Sequence, residues 1–272
     1  MNGQFSFNLF DVRHGFCAYA QAPNGSVTLF DCGHDDQTGF RPSVYLPKIG
    51  IATIDRFVVG NFDNDHVSDL SNLQSKVYIR TFFRNRSIDE PTLRRLKLQN
   101  GPLSPGLTAV LQMHQTYIHP ITPVDYGGVG LETFWVKYPT FTDTNNLSVV
   151  SFVDYGPVHI VIPGDLERAG WRELLKDPDF MARLRSVNIF VASHHGRESG
   201  YCEDVFNFCY PDVILISDKE IVHDTQDNEY AKHASGILWN GSNMDRRYVL
   251  TTRCDGHMCI TTQGRGYHIQ VG

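Results

Sequence analysis

Three polar clusters in this chain directly follow apolar runs, and together they hold the residue types of a hydrolytic metal site. Asn61-Phe62-Asp63-Asn64-Asp65-His66 follows Phe57-Val58-Val59-Gly60, and Gly164-Asp165 follows Ile160-Val161-Ile162. Ser193-His194-His195-Gly196 follows Ile189-Phe190-Val191-Ala192. A short apolar run bounded by turn residues reads as a buried strand, which delivers the next residues to one end of its sheet. Carboxylates with neutral imidazoles form an oxygen and nitrogen donor set that suits zinc, manganese or iron. A hydrolytic site keeps one coordination position open to water, which the cation acidifies toward neutral pH. Taken singly, an Asp after a strand is a turn or cap residue and a His pair is a hydrogen-bonded core feature. Three such pieces in order, each at a strand end, point to one shared centre.

The elements that must position these clusters are legible as a mixed α/β chain. Phe5 to Asp11, Cys17 to Gln21 and Val27 to Asp31 read as an antiparallel meander, turned at Pro23-Asn24-Gly25-Ser26. Arg56 to Gly60 and Val77 to Arg80 read as further strands. Ser87-Ile88-Asp89-Glu90 has the Ser-x-x-Glu form of a helix start, with Leu93, Leu96 and Leu98 behind it, and Pro105 to Gln115 reads as a second helix. Leu147 to Asp154 and Pro157 to Ile162 form a hairpin, and Glu167 to Leu184 is expected to be helical. Val187 to Ala192 and Val213 to Ser217 read as strands, and Val205 to Cys209 and Asn228 to Leu238 as helices. The tail reads as strands at Arg247 to Thr251, His257 to Thr262 and Tyr267 to Val271. No repeat or linker interrupts the chain, so residues 1–272 are expected to form one domain, with a basic helical insertion at about 80–125.

Composition narrows the function classes. Hydrophobic residues make up 41% of the 272 and charged residues 20%, which excludes disorder, coiled coil and collagen-like repeats. No apolar run approaches the roughly 18 residues of a membrane span. Met1 to Asp11 has no basic segment before an apolar stretch, so a cytoplasmic location is expected. With 24 basic against 30 acidic residues the net charge is −6, which disfavours extensive duplex binding. Between Lys76 and Lys97, however, seven basic residues face two acidic ones. Two readings of that segment stay open, a solvated helix face or an anion-contacting flap. The six cysteines form no C-x-x-C pair and read as reduced thiols, mostly core residues; Cys254 and Cys259 beside His257 read as strand residues rather than a zinc cluster, and Cys202, after the His-His-Gly loop, is the one thiol near the expected site. No Gly-x-Ser-x-Gly elbow, Walker loop or Gly-x-Gly-x-x-Gly is present, and Gly127-Gly128-Val129-Gly130 reads as a loop.

The ordered motifs resemble the metallo-β-lactamase superfamily, and more specifically the hydrolase domain of ComEC-type competence proteins and their free-standing relatives. The residues carrying this are Asp11-Val12-Arg13-His14-Gly15, Leu29-Phe30-Asp31-Cys32-Gly33, Asp63-x-Asp65-His66, Ile162-Pro163-Gly164-Asp165-Leu166-Glu167 and Ser193-His194-His195-Gly196. Asn228-x-Tyr230 with His233, and Thr251 to Gly256, extend the match, which runs from about Phe5 to Val271. The resemblance implies a four-layer αββα sandwich whose strand-end loops hold one or two divalent transition ions, zinc or manganese. It implies Asp63, Asp65, His66, Asp165 and His194 as metal ligands. The superfamily's H-x-H-x-D-H motif falls on Asn61, Asp63, Asp65 and His66, so Asn61 leaves the first metal position poor in ligands, and His14 or His34 could replace the one lost. It further implies Asp65 or Asp63 orienting water, His195 as a supporting donor and His233 reaching substrate. Arg94, Arg95 and Lys97 are the candidate substrate contacts. The remaining motif-free histidines, His114, His119, His159, His257 and His268, read as structural. The expected activity is phosphodiester hydrolysis on a nucleotide or single-stranded nucleic acid, with β-lactam, lactone and thioester substrates open. The alternative is a binding or regulatory module without turnover.

Overall fold

Alternate residues along the strands face different cores, and that alternation builds the layers. The computed structural model describes residues 3–119, 124–219, 225–239 and 242–272. In the N-terminal strands, Ala18 and Ala20 point to one side while Cys17 and Tyr19 point to the other, as a two-residue period requires. Phe7, Leu9, Ala18, Ala20 and Phe30 meet Val149, Val153, Ile160, Ile189, Val191, Val213 and Leu215 of a second sheet in a central core. The opposite face of the first sheet packs on Leu46, Leu70, Leu73, Leu93, Leu96, Val110 and Met113, all from helices. The opposite face of the second sheet, with Val150, Phe152, Phe190 and Ile214, packs on Trp171, Phe180, Leu184 and Tyr230, again from helices. The architecture is therefore an αββα sandwich, as expected.

The first sheet runs Gly266–Val271, Met258–Gln263, Ser6–Leu9, Ala18–Gln21, Val27–Phe30, Arg56–Val58, Phe82–Phe83. The second runs Val249–Thr251, Val213–Ile216, Ile189–Val191, Val158–Ile162, Val149–Tyr155, Gly130–Trp135. Val27–Phe30 and Arg56–Val58 are parallel, as are Val158–Ile162, Ile189–Val191 and Val213–Ile216. Parallel neighbours end at the same edge of their sheet, so the three polar clusters leave their strands together.

Several elements differ from the sequence reading. Glu167 to Leu184 is two helices, Arg168–Leu174 and Pro178–Leu184, because Pro178 starts a new helix and disfavours helical backbone at Asp177, which caps it. Asn228 to Leu238 gives only the helix Asp227–Ala231, and beyond Gly236 the strand Ile237–Trp239 pairs with Ser242–Arg247. Gly130–Trp135 is a strand the sequence reading left out. Glu90–Leu98 is capped by Asp89, which accepts from the Thr92 N–H at 2.9 Å; Ser87 instead donates to Asn85. This helix and Pro105–Thr116 belong to the helical layer over the first sheet, and residues 120–123 of the expected basic insertion lie outside the described residues. Among the described residues no helix is long and apolar enough to cross a membrane.

One buried histidine in that layer has a measurable consequence. His114 sits between the rings of Phe62 and Phe82, 6% exposed, and its Nε2 has no hydrogen-bond partner. Burial, with the charge of Arg84 nearby, lowers its pKa to about 4. Below about pH 6.5 the unfolded chain binds a proton that the folded chain refuses until about pH 4, so this residue costs stability as pH falls through that window. The cost at pH 5 is about 2 kcal/mol. Urea unfolding at pH 7 and pH 5 should show a smaller pH-dependent loss in His114→Leu than in the wild type, by about that amount; parallel losses would refute the assignment.

Candidate metal centre

The site begins with backbone that has no room for side chains. Gly15 and Gly33 both press against the Asp65 carbonyl oxygen: a Cβ added at Gly33 would lie 2.2 Å from it, and one at Gly15, whose φ is +142°, 2.5 Å. Phe16 N–H donates to the same carbonyl at 3.3 Å, and Cys32 N–H to that of His66 at 2.7 Å. The two N-terminal glycine loops thus clamp the one-turn helix Asn64–Val67 that carries Asp65 and His66. Asp31, at the end of Val27–Phe30, adopts φ 55° and is 1% exposed. Its carboxylate accepts from Gly60 N–H and meets His66 Nδ1, both at 2.7 Å.

The second sheet supplies the opposite wall. Gly164 turns the chain after Val158–Ile162, and Asp165 N–H donates to Ser148 Oγ at 3.2 Å. Ser193, after Ile189–Val191, hydrogen-bonds the Leu166 carbonyl, and His194 N–H donates to that of Gly164 at 3.1 Å. His194 and His195 come next, with φ of 49° and 54°. Two consecutive left-handed residues without glycine are costly, about 1–3 kcal/mol each, and mark a loop held by its surroundings. They turn His195 inward, where its Nδ1 meets the Ser217 carbonyl at 2.9 Å.

Asp65, His66, Asp165 and His195 converge, each offering a donor atom within 4.8 Å of the others. His66 Nε2 lies 3.0 Å from Asp165 Oδ1, and His195 Nε2 lies 3.3 Å from Asp65 Oδ2 and 3.6 Å from Asp165 Oδ1. Neither Nε2 has a hydrogen-bond partner of acceptable geometry, although both are buried. Each ring is fixed through its other nitrogen, by the Asp31 carboxylate or the Ser217 carbonyl, the arrangement that orients metal-binding imidazoles. Two imidazoles and two carboxylates aimed at one point fit a divalent transition ion. Burial opposes every charge here, yet Asp165 and Asp31 raise the His66 pKa well above its usual range, and Asp165 and Asp65 raise that of His195. The same contacts hold Asp65 and Asp165 below the usual carboxylate range despite burial. A divalent cation would replace the two imidazole protons charge for charge.

The other candidate residues lie around this group. Asp63 meets the Lys97 ammonium, which also donates to Thr144 Oγ1 at 2.7 Å. Asn61 is buried and donates to Asn145 and Ser148 at 3.0 and 3.2 Å. His194 stands one step outside the four, its Nε2 3.9 Å from Asp165 and its Nδ1 2.9 Å from Ser199 Oγ. His14 Nε2 lies 3.4 Å from Asp65 Oδ2, whereas His34 pairs with Ser68 and Asp36. His233 stacks on Phe206 at 4.2 Å and bonds Tyr201 at 2.8 Å, within the aromatic packing of the outer helical layer. Arg94 pairs with Glu90 and Arg95 donates to Tyr138, so of the three basic candidates Lys97 alone faces inward. The sequence reading missed the parts played by Asp31 and Ser217. Asp31 stands in the Leu29-Phe30-Asp31-Cys32-Gly33 motif, a carboxylate ending a strand two residues before a glycine, but nothing there announces its histidine partner. Ser217 acts through its backbone carbonyl, which no residue type announces.

No protein-family model matches the chain, and no curated protein matches it. Among solved structures it is similar to a diphosphatase of the PhnP family, at 12% identity over 92% of this chain and 85% of that one, with a TM-score of 0.48. It is similar to a metallo-β-lactamase variant from Cronobacter sakazakii at 15% identity, over 67% and 74%, with a TM-score of 0.45. It is also similar to a long-form RNase Z from yeast at 11% identity, over 98% of this chain and 49% of that one, with a TM-score of 0.46.

The glycine clamp gives a direct test. Gly33→Ala should destabilise the protein by about 3 kcal/mol, because backbone blocks its methyl on two sides. Gly266→Ala, whose nearest neighbour would lie 3.9 Å away, should stay within about 0.5 kcal/mol in the same denaturant titration. Equal effects would mean the clamp is not tight.

Proposed function

We propose that the chain is a metal-dependent hydrolase of the metallo-β-lactamase superfamily, placed by its seven ordered motifs beside the ComEC-type competence hydrolases. The observation that carries this is the convergence of the buried Nε2 atoms of His66 and His195 with the carboxylates of Asp65 and Asp165. These four residues would hold one divalent ion, zinc or manganese. Asp63 already has the Lys97 ammonium as its counter-charge and Asn61 offers its amide to Asn145 and Ser148, which favours one ion over two.

When bound, the ion would polarise the scissile group and acidify water. The rest falls to the protein. Asp31 and Ser217 hold the two imidazoles in the tautomer that presents Nε2. Asp65, whose side chain is 23% exposed, is the carboxylate that faces solvent and can orient water through Oδ2. His14, lowered to about 4 by burial and by His195, is neutral near pH 7 and can accept a hydrogen bond beside it. The substrate class we favour is a phosphodiester, a nucleotide or single strand rather than a duplex, in keeping with the net charge of −6.

Elemental mass spectrometry on protein purified without chelators should find one equivalent of a transition metal, lost in His195→Ala and in Asp165→Asn together with hydrolysis of an activated phosphodiester. Asp31→Asn should keep the ligands yet bind metal about 10- to 100-fold more weakly. Full metal occupancy in both ligand variants would overturn the site. A metal-loaded wild type inert toward phosphodiesters, lactones and β-lactams would favour the binding-module reading.

A further inference from the structure

Beside the candidate centre stands a cation with no carboxylate partner among the described residues. Arg197 is anchored by its backbone: its N–H donates to the His194 carbonyl at 3.0 Å, and its carbonyl accepts from Gly200 and Tyr201, both at 3.1 Å. Its guanidinium lies between two imidazoles, with Nη2 3.3 Å from His14 Nε2 and Nη1 3.5 Å from His194 Nε2. Its Nε is buried and makes no hydrogen bond among the described residues. Among the described residues no carboxylate pairs with it; Arg56 and Arg84 also lack one, but they rest on the rings of Tyr126 and Phe82, whereas Arg197 stands beside the candidate ligands. A partly buried guanidinium is normally matched with a carboxylate or phosphate, because its planar fork presents paired N–H donors.

The placement is specific. His14 Nε2 touches Asp65 and His194 Nε2 approaches Asp165, so the guanidinium spans the two residues that border the candidate ligands. Contacts of 3.3–3.5 Å to imidazole nitrogens are long and leave most of the donor capacity unspent. Lys219 is close enough to act on His14, and it too has no ion pair among the described residues. Arg197 and Lys219, neither ion-paired among the described residues, thus add positive charge beside a carboxylate-rich site.

We propose that Arg197 is the anion-positioning residue of this centre, taking the phosphoryl oxygens of a phosphorylated substrate through its guanidinium fork, with Lys219 adding charge. This rests on reading Asp65, His66, Asp165 and His195 as a metal site. It moves substrate recognition from the helix that carries Arg94 and Arg95 to the loop after His195. The resulting preference is for a phosphate ester over a neutral lactone or thioester, since a neutral substrate leaves the guanidinium unmatched.

The test is calorimetric titration of the full chain with inorganic phosphate, in zinc-loaded and chelator-treated protein, with metal content measured on each sample. Arg197→Met should weaken phosphate binding by about 10- to 100-fold in loaded protein, Arg197→Lys should recover part of it, and Arg172→Met, whose partner is Asp204 on the surface, should match the wild type. Metal content should be the same in all four. Phosphate binding in Arg197→Met equal to the wild type overturns the assignment. Loss of metal from both Arg197 variants also overturns it, because Arg197 would then be a brace for the histidines. If the wild type takes up no metal, the metal-site reading fails, and the ratio of phosphate affinities between wild type and Arg197→Met in the chelator-treated samples still decides the role of Arg197.

Discussion

The contact between Asp31 and His66 is the constraint on which the rest of the centre is arranged. Both side chains are 1% exposed, and an isolated carboxylate buried that deeply is strongly disfavoured. Asp31 is stabilised there by the Gly60 N–H on one oxygen and the imidazole on the other. Those two bonds join the ends of neighbouring parallel strands to the short helix carrying Asp65 and His66. They also settle which nitrogen of His66 faces Asp165. The glycines at 15 and 33 answer the same requirement, since the helix reaches Asp31 only if its Asp65 carbonyl can rest against bare backbone.

Strain is concentrated around this contact. The non-glycine residues with left-handed backbone among those described are Arg13, Asp31, His194 and His195, all in loops that border the centre. At about 1–3 kcal/mol each, they are tolerable only because three apolar cores fix the strand ends from which the loops leave. The scaffold is regular where it packs and irregular where chemistry is expected, a division common to sites built on rigid sheets.

Much of this was legible in the sequence, and the illegible parts have physical causes. The continuous apolar runs at Cys17 to Ala20, Ile160, Ile189 and Val213 mark two-sided burial, and the architecture is built on them. The order of the clusters places Asp65, His66, Asp165 and the His pair at strand ends. What composition cannot reveal is which of two adjacent histidines turns inward, because that depends on two φ angles and on the Ser217 carbonyl. Lys97 likewise reads as one more cation on a basic helix until the fold turns it onto Asp63. Arg197 left no signal, since a lone arginine outside any basic run acquires meaning only from the two imidazoles it meets.

The four converging side chains also have a topological meaning. Asp65 and His66 belong to the first half of the chain and the first sheet; Asp165 and His195 belong to the second half and the second sheet. Anything that bridges them closes a long loop, as a cross-link between the two halves would. The donor set exists only where both sheets have formed and met across their shared core, so its integrity reports on the whole fold. Conversely, an occupant there ties the two sheets at the edge of their shared core, where Phe16 stacks near His66.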